Sequence, residues 1–468
     1  MGETYNLTRT IPVDKEYDLV VAGGGPAGSA AAISAARLGA KVLLAEGLGC
    51  LGGTATSGLV TAFNPMTNGK QMLVGGLMKE IIETLYRRGF VPTLLDPIRW
   101  RGGEGLGDYH CWTPFDSEGL KLLLDELAEE AGVEVRFFTR VIDADIDPDA
   151  KTVKGVILSN IEGYRYVKAK TFIDATGDAV LTDLCGAPCW EAGRDTPGIM
   201  PPTLCAIFAG IDWSRIRRGD IGPAGQQEKI EQAIKDGFFS QPDRHVPGLL
   251  MGMNQLAMVN AGHIFKMDSL DCQSLSDGMK KGRRLVQEYV DFYRKYMGLL
   301  DVQLVTTASM MGIRESRRVQ GEYVLNYDDY KNRRKFPDQI AVYCSSVDIH
   351  IYDCTEDEYK RHIEEFKKVD RYAPGEYYGI PYGVLIPKGW KNLWVAGRCV
   401  STDVKVQGSL RVQPAASMMG QAAGVAAVQS IRTGKTAQDL DTVQLVETLR
   451  AQGAYLPQSE LSEKMTKV

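Results

Sequence analysis

Short apolar runs and helical stripes alternate along the first third of the chain. Tyr17–Val21 reads as a strand and runs straight into Gly23-Gly24-Gly25-Pro26-Ala27-Gly28. Ala32, Ala36 and Gly39 then share one helical face, and Lys41–Ala45 forms a second strand ending at Glu46. The hydrophobic period passes from strand to helix and back within about thirty residues, the mark of a βαβ unit. Leu77, Ile81 and Leu85 predict a helix over Val74–Arg88, which leads into an aromatic, Gly-rich stretch, Trp100–Trp112. A stripe of Leu120, Leu123, Leu124, Leu127, Ala128 and Ala131 predicts another from about Glu118 to Ala131. Strands are expected at Val133–Phe138, Val141–Asp145, Val153–Leu158 and Tyr164–Ile173, the last entering Asp174-Ala175-Thr176-Gly177-Asp178.

From about residue 186 to 380 the chain is richer in aromatics and Arg and less regular, with one long helix expected near Gly282–Met297. Its Lys280, Lys281, Arg283 and Arg284 read as a solvated face. Regular α/β patterning returns at Asn392–Ala396, followed by Gly397 and a small-residue helix from about Pro414 to Ile431. The expected fold is therefore α/β: a Rossmann-like nucleotide-binding domain, a parallel sheet with helices, interrupted by an inserted mixed α+β domain. The first is assigned residues 1–60, 113–185 and 381–435, the insert 61–112 and 186–380, and a helical tail 436–468.

Composition narrows the class. The 468 residues are 44% hydrophobic and 24% charged with a net charge of −5, a globular balance that argues against a nucleic-acid or membrane-surface binder. Fifty glycines is about 11% of the chain, against roughly 7% in average usage, with no Gly-rich repeat to absorb them. They are expected where backbone turns tightly or approaches a ligand. Nine scattered cysteines are an odd count that fits a reducing, cytoplasmic setting better than a disulfide framework. Met1–Asp14 lacks a basic segment followed by an apolar one, so no secretory signal is expected. The uncharged stretches Leu19–Ala36 and Val412–Ile431 consist mainly of Gly, Ala, Ser and Gln and read as tightly packed elements, not membrane spans.

Gly23, Gly25 and Gly28 match the GxGxxG fingerprint of dinucleotide-binding folds: a tight turn, backbone access for a pyrophosphate, and close helix–strand packing. The helix start offers free N–H groups and a positive dipole end to phosphates. Glu46 lies 18 residues after Gly28, where a carboxylate accepts ribose hydroxyls, and it would repel a 2′-phosphate. The motif by itself serves FAD and NAD alike.

The whole chain resolves that choice by resemblance. Gly52-Gly53-Thr54, Ala175-Thr176-Gly177 and Leu393-Trp394-Val395-Ala396-Gly397-Arg398 resemble the later FAD contacts of glutathione-reductase-like flavoproteins. More narrowly, Gly312–Arg318, Asp348-Ile349-His350, Ile380-Pro381-Tyr382 and Gly408–Pro414 resemble the FAD-dependent oxidoreductase family related to fumarate reductase and succinate dehydrogenase flavoproteins. The resemblance implies FAD held by Gly23, Gly25, Pro26, Ala27, Gly28, Glu46, Gly53, Thr54, Val141, Ala175, Thr176, Gly177, Gly397, Arg398, Ala415 and Ala416. It implies hydride transfer between a small-molecule substrate and flavin N5, with the ring near the helix start at Pro414. An NAD-binding dehydrogenase and a flavoprotein with structural or redox-sensing FAD remain the alternatives.

Arg411 aligns with an arginine that such enzymes use to hold a substrate carboxylate; its fork suits bidentate binding. Arg314 is a further candidate, although Glu315, Arg317 and Arg318 beside it suit a structural ion-pair cluster equally. His350 follows Asp348 by two residues in a strand-like context, Ala341–Ile351, which would set both on one face for proton transfer. His110 and His263 are weaker candidates. No His lies between Glu46 and Gly58, so FAD is expected to be non-covalent, with Cys50 the open alternative. Cys185 and Cys189 have three residues between them rather than two, and no other Cys or His spacing suggests a metal. Gly434-Lys435-Thr436 lacks the glycine a P-loop needs, because residue 429 is Gln. Arg398 stands where many flavoproteins of the wider class carry an acid. The expected partners are a small-molecule substrate and an electron donor or acceptor, with no nucleic acid and no membrane span.

Overall fold

The computed structural model describes residues 5–91, 113–213, 223–246 and 248–457. The Trp100–Trp112 stretch, with His110, lies outside them. Along the chain the elements used below are β1 (Tyr17–Ala22), α1 (Pro26–Arg37), β2 (Val42–Ala45), α2 (Gly76–Arg87), α3 (Ser117–Ala131), β3 (Glu134–Arg136), β4 (Arg140–Asp147), β5 (Thr152–Asn160) and β6 (Gly163–Asp174). Next come β7 (Ala206–Ala209), α4 (Pro223–Lys235), β8 (Leu249–Met251), β9 (Ala257–Val259), α5 (Cys272–Lys295) and β10 (Gln303–Thr307). The chain continues through β11 (Gln339–Tyr343), α6 (Glu356–Lys368), β12 (Tyr378–Pro381), β13 (Leu393–Val395), α7 (Val404–Leu410), α8 (Gln413–Thr433) and α9 (Thr442–Ala451).

Five strands form a parallel sheet in the order β3-β2-β1-β6-β13, each pair in parallel register. Parallel neighbours require crossovers, and α1 supplies the one between β1 and β2. The strand β6 is long because it serves two sheets. Its first half pairs antiparallel with β5, which in turn pairs antiparallel with β4, and its second half sits between β1 and β13. Since β13 comes from near the end of the chain, the sheet joins both ends. A separate antiparallel sheet, β8-β9-β7-β10, is drawn wholly from the middle of the chain and buries Phe208, Tyr289, Phe292 and Tyr293 against α5.

Two differences from the sequence pattern have local causes. Helix α5 begins ten residues earlier than its apolar stripe suggests, capped by the Asp271 side chain, which accepts from Ser274 N. Its first half is glycine-bearing because Cβ atoms at Gly278 and Gly282 would fall 2.4 Å from the Met267 sulfur and 2.6 Å from Leu204 Cβ. The stretch Ala341–Ile351 is not one strand: β11 ends at Tyr343, and Asp348 and His350 lie in irregular chain.

Helix α8 is buried from Gln413 through Ser430 and lies against α1 with almost no side chain between them. A Cβ at Gly420 would sit 2.0 Å from Ala27 O, and one at Gly424 2.3 Å from Ala31 O. Because both contacts advance by four residues together, the helices run parallel. Helix α8 therefore starts about six residues before α1, roughly 9 Å back against the shared direction at 1.5 Å per residue. Neither start is closed by a side-chain cap, and each carries Pro in its first turn.

Replacing Gly424 by Leu forces these backbones apart. The expected cost is at least the 1–3 kcal/mol typical of overpacking, read as a lower thermal-denaturation midpoint. An unchanged midpoint contradicts the packing described here.

Candidate cofactor and substrate site

Ligands of open parallel sheets bind outside the carboxyl ends of the strands. Here Gly23–Gly28 follows β1, Glu46 follows β2, Ala175–Asp178 follows β6 and Gly397–Arg398 follows β13. The three fingerprint glycines have distinct surroundings. Gly23 has φ of 90°, and a Cβ there would lie 2.8 Å from Ala175 O. At Gly28 a Cβ would lie 1.7 Å from Gly23 O. A Cβ at Gly25 would meet nothing within 4 Å, so this is where backbone lies bare to a ligand beside the open start of α1.

Glu46 is buried and accepts from Gly24 N at 2.5 Å and Leu48 N at 2.7 Å, one bond to each oxygen. Each carboxylate oxygen keeps further lone pairs for hydroxyl donors. Gly52 N donates to Gly24 O at 2.8 Å, which brings Gly53 so near that a Cβ on it would lie 3.0 Å from Gly25 Cα, with Thr54 next in the chain. Val141, in β4, is buried two residues beyond Thr139, whose N–H donates to Glu46 O at 2.9 Å.

On the other side of β1, the Thr176 hydroxyl donates inward to Asp174 at 2.7 Å and accepts from Val180 N at 3.0 Å. The side chain of Thr176 therefore shapes the turn rather than facing a ligand. Thr182 adds two more donors to Asp174. Arg398 pairs with Asp178 at 2.6 Å, and both bond the Ser316 hydroxyl, at 2.8 and 2.6 Å. The acid absent from position 398 is thus present across the gap, on the β6 turn. A Cβ at Gly397 would lie 3.1 Å from Ala27 Cβ and 3.9 Å from Ala416 Cβ, so the first turns of both helices meet there.

Arg411 caps α7 two residues before the start of α8. Gly408 lets the Asp348 backbone approach to 2.9 Å of its missing Cβ, and Arg411 Nη2 donates to Asp348 O at 3.0 Å and Oδ2 at 2.7 Å. Its Nε is buried with no protein acceptor; among the described residues Gln413 Oε1 and Ser417 Oγ, on the first turn of α8, are likewise without partners. These unsatisfied atoms fall within seven residues of the chain, 411–417, at an uncapped helix start that can serve a polar group. Arg314 is separate from the ion-pair cluster the sequence allowed. Arg317 pairs with Asp183 and Glu191, and Arg318 with Asp195, whereas Arg314 donates to Pro201 O and Thr203 Oγ1 and has no ion pair among the described residues. Burial, with Arg411 nearby, pulls its guanidinium down to about 10.

His350 donates or accepts at both nitrogens within the protein: Nε2 is 3.2 Å from Asp348 Oδ2 and Nδ1 is 2.8 Å from His263 Nε2. His263 Nδ1 in turn stands 3.0 Å from Asp243 Oδ2. His245 packs on both imidazoles with ring centroids 5.0 Å apart. Sequence spacing did not suggest this three-histidine group, whose ring nitrogens lie within 4.8 Å of one another. Asp243 and His245 were missed outright, yet Asp243-Arg244-His245 repeats the Asp-x-His pattern of Asp348-Ile349-His350. Burial and Arg314 push His350 well below the usual histidine range. Burial, with His263 beside it, lowers His245 to about 4. Burial raises the carboxyl of Asp348, but His350 and Arg411 outweigh it and hold Asp348 well below the usual range. His263 likewise outweighs burial at Asp243, which falls to about 2.

A histidine neutral in the fold with its proton affinity depressed binds protons better once unfolded. Stability from this group is full above about pH 6.5 and declines as the pH falls toward 4. His245→Gln is expected to flatten that limb in denaturation midpoints measured from pH 7 to 4; an unaltered limb contradicts it.

A 46-residue stretch is 54% identical to a dihydrolipoyl dehydrogenase of Trypanosoma brucei brucei, spanning 10% of this chain and 10% of that protein. Among solved structures, the chain is similar to a p-nitrophenol 4-monooxygenase from Pseudomonas putida DLL-E4, at 13% identity and a TM-score of 0.49, covering 98% of this chain and 92% of the other. It is also similar to a geranylgeranyl bacteriochlorophyll reductase-like protein from Thermoplasma acidophilum, at 15% identity and a TM-score of 0.45, covering 93% and 83%. A third is the myxobacterial chondrochloren halogenase, at 17% identity and a TM-score of 0.43, covering 93% and 78%. None of these three lends specific support to the narrower kinship with fumarate reductase. Among the described residues no helix is long and apolar enough to cross a membrane. Residues 18–451, from β1 to the end of α9, match the family described as "FAD dependent oxidoreductase", and with FAD as its cofactor the chain belongs to that family.

Proposed function

We propose that this FAD-dependent oxidoreductase is a dehydrogenase or reductase that binds FAD without a covalent link and acts on a small molecule carrying a carboxylate. Bound flavin supplies two-electron, hydride-accepting or hydride-donating chemistry. The observation that carries the reading is Arg411: a largely buried guanidinium with an unpaired Nε, set two residues before the open start of α8.

The residues divide the work. Gly25 and the first turn of α1 take the phosphates, and Glu46 takes ribose hydroxyls. The start of α8 offers N–H groups and the positive end of its dipole to negative charge that develops on the ring's carbonyl edge. Arg411 is anchored through Nη2 on Asp348 and keeps other N–H donors to orient an anionic group. Arg314 adds a second buried positive charge, held in place by Pro201 O and Thr203. Asp178, Ser316 and Arg398 tie the β6 and β13 turns together beside the middle of the site.

The purified protein is expected to be yellow and to release FAD on denaturation. Gly25→Val adds a side chain where the structure is open, so it should fold with an unchanged midpoint and retain at least tenfold less FAD; full FAD retention contradicts the cradle. Arg411→Ala is expected to keep FAD and lose on the order of 10²-fold or more in turnover, and Arg411→Lys not to restore it. The assay is bleaching of the bound flavin by a panel of hydroxy and amino acids, and its reoxidation by α,β-unsaturated carboxylates. Wild-type turnover in Arg411→Ala discards the role of Arg411, and a colourless protein discards the flavoenzyme reading.

A further inference from the structure

Three histidines from separate segments meet beside Asp348. His245 precedes β8, His263 follows β9, and His350 lies in the irregular chain after β11. Their ring centroids are 5.0 Å apart in all three pairs, and one nitrogen from each ring lies within 4.8 Å of the other two. Three imidazoles on one ion at about 2.1 Å would hold their centroids about 4.6 Å apart at right angles and about 5.3 Å apart at the tetrahedral angle. The observed triangle falls between these. His263 and His350 are buried, whereas His245 is partly exposed, so the group is not sealed from solvent.

The outer nitrogens add an independent observation. His350 Nε2 stands 3.2 Å from Asp348 Oδ2, and His263 Nδ1 stands 3.0 Å from Asp243 Oδ2. Metal-bound histidines almost always turn their other nitrogen to a carboxylate, a carbonyl or water, which fixes the tautomer and makes the ligand more basic. The inner nitrogens, His263 Nε2 and His350 Nδ1, face each other at 2.8 Å. Without an ion, one hydrogen on His263 Nε2 closes that gap and both rings are neutral. That arrangement leaves His263 Nδ1 a bare lone pair that makes no hydrogen bond, in a residue only 2% exposed. An ion on the inner nitrogens takes the place of that hydrogen, which moves to Nδ1 on the side of Asp243. The ring stays neutral and no proton is lost. Two nitrogens on one ion span roughly 3.0–3.4 Å, so the inner pair opens slightly and His245 turns its ring to complete the set.

We propose that His245, His263 and His350 form a binding site for one divalent transition-metal ion, with Asp243 and Asp348 as the carboxylates that orient two of the three ligands. The site goes beyond the flavin chemistry above and does not require bound flavin. Imidazole ligands select zinc, cobalt, nickel, copper or ferrous iron over magnesium and calcium, which prefer oxygen. Three protein ligands leave a fourth position for water or a substrate oxygen, the pattern of catalytic rather than structural zinc. Asp348 is shared between His350 and Arg411, and Arg314 adds a positive charge held on Pro201 O and Thr203. The two carboxylates balance the two arginines, so the ion is held by its ligand bonds and not by surplus negative charge.

The test uses untagged, full-length protein, stripped with a chelator and titrated with Zn²⁺ and with Co²⁺. The expected result is one equivalent of either metal retained through gel filtration and a visible Co²⁺ band at wavelengths beyond the flavin absorption. The denaturation midpoint should rise with Zn²⁺ and stay fixed with Mg²⁺ or Ca²⁺. His245→Gln and His263→Gln each remove a ligand and are expected to weaken retention by about 100-fold or more. Asp243→Asn keeps all three ligands, so it should preserve the one-to-one stoichiometry and weaken binding on the order of 10–100-fold. Circular dichroism on the same samples reports whether each variant is folded, and the wild-type titration decides alone where one is not. Failure of the wild-type protein to retain zinc or cobalt at micromolar concentration overturns the site, as does undiminished retention in folded His263→Gln. FAD content is measured separately on the same protein, so loss of the metal site and loss of the flavoenzyme reading are distinct outcomes.

Discussion

The site depends on one contact between two backbones. Gly420 and Gly424 on α8 face the carbonyls of Ala27 and Ala31 on α1, at separations that exclude even a methyl group. Backbone contact of this kind leaves no side-chain freedom, so it fixes the two helices in direction and in register. Their open, Pro-bearing starts are thereby staggered along one line beside the carboxyl ends of β1, β6 and β13. Two positive dipole ends at a set separation are what an extended dinucleotide with anionic phosphates and an electron-rich ring can use. The abundance of glycine and alanine in both helices is the compositional trace of that constraint.

Around this frame the polar groups follow a common rule: buried charge is met by a partner or left facing the cavity. Asp174 has four donors from Thr176 and Thr182, and Asp178, Arg398 and Ser316 close a triangle. Among the described residues the buried side-chain atoms without a partner are spread from Asn64 to Gln429, and three of them belong to the chain around the start of α8. Arg411 Nε, Gln413 Oε1 and Ser417 Oγ lack partners around the start of α8, and Arg314 lacks a carboxylate contact nearby. Unpaired buried groups are costly, so a ligand that supplied partners to these three would gain by it.

Much of the frame was legible in the chain. The fingerprint, Glu46, and the turns at Ala175–Gly177 and Gly397 are local signals, each set by a strand ending and a glycine, and they converge because parallel strands place their carboxyl ends together. The α1–α8 contact was half-visible: small residues in both helices announce close packing without naming the partner. The histidine chain was not legible, because its members stand at 243, 263, 348 and 350 and only tertiary folding joins them. The repeated Asp-x-His was the one available hint. The segment of His350 was read as a strand and is irregular chain in the fold, where one ring nitrogen meets Asp348 and the other His263. Arg314 was weighed against a cluster of neighbouring charges, and sequence proximity could not reveal that Arg317 and Arg318 turn to other acids.

The most direct test of the central claim is a crystal structure of the protein with FAD bound. The account requires the pyrophosphate on the first N–H groups of α1 beside Gly25, ribose hydroxyls at Glu46, and the pyrimidine edge of the ring at the start of α8 within reach of Arg411. A nucleotide seated elsewhere, or a ring turned away from Gln413 toward bulk solvent, would contradict it.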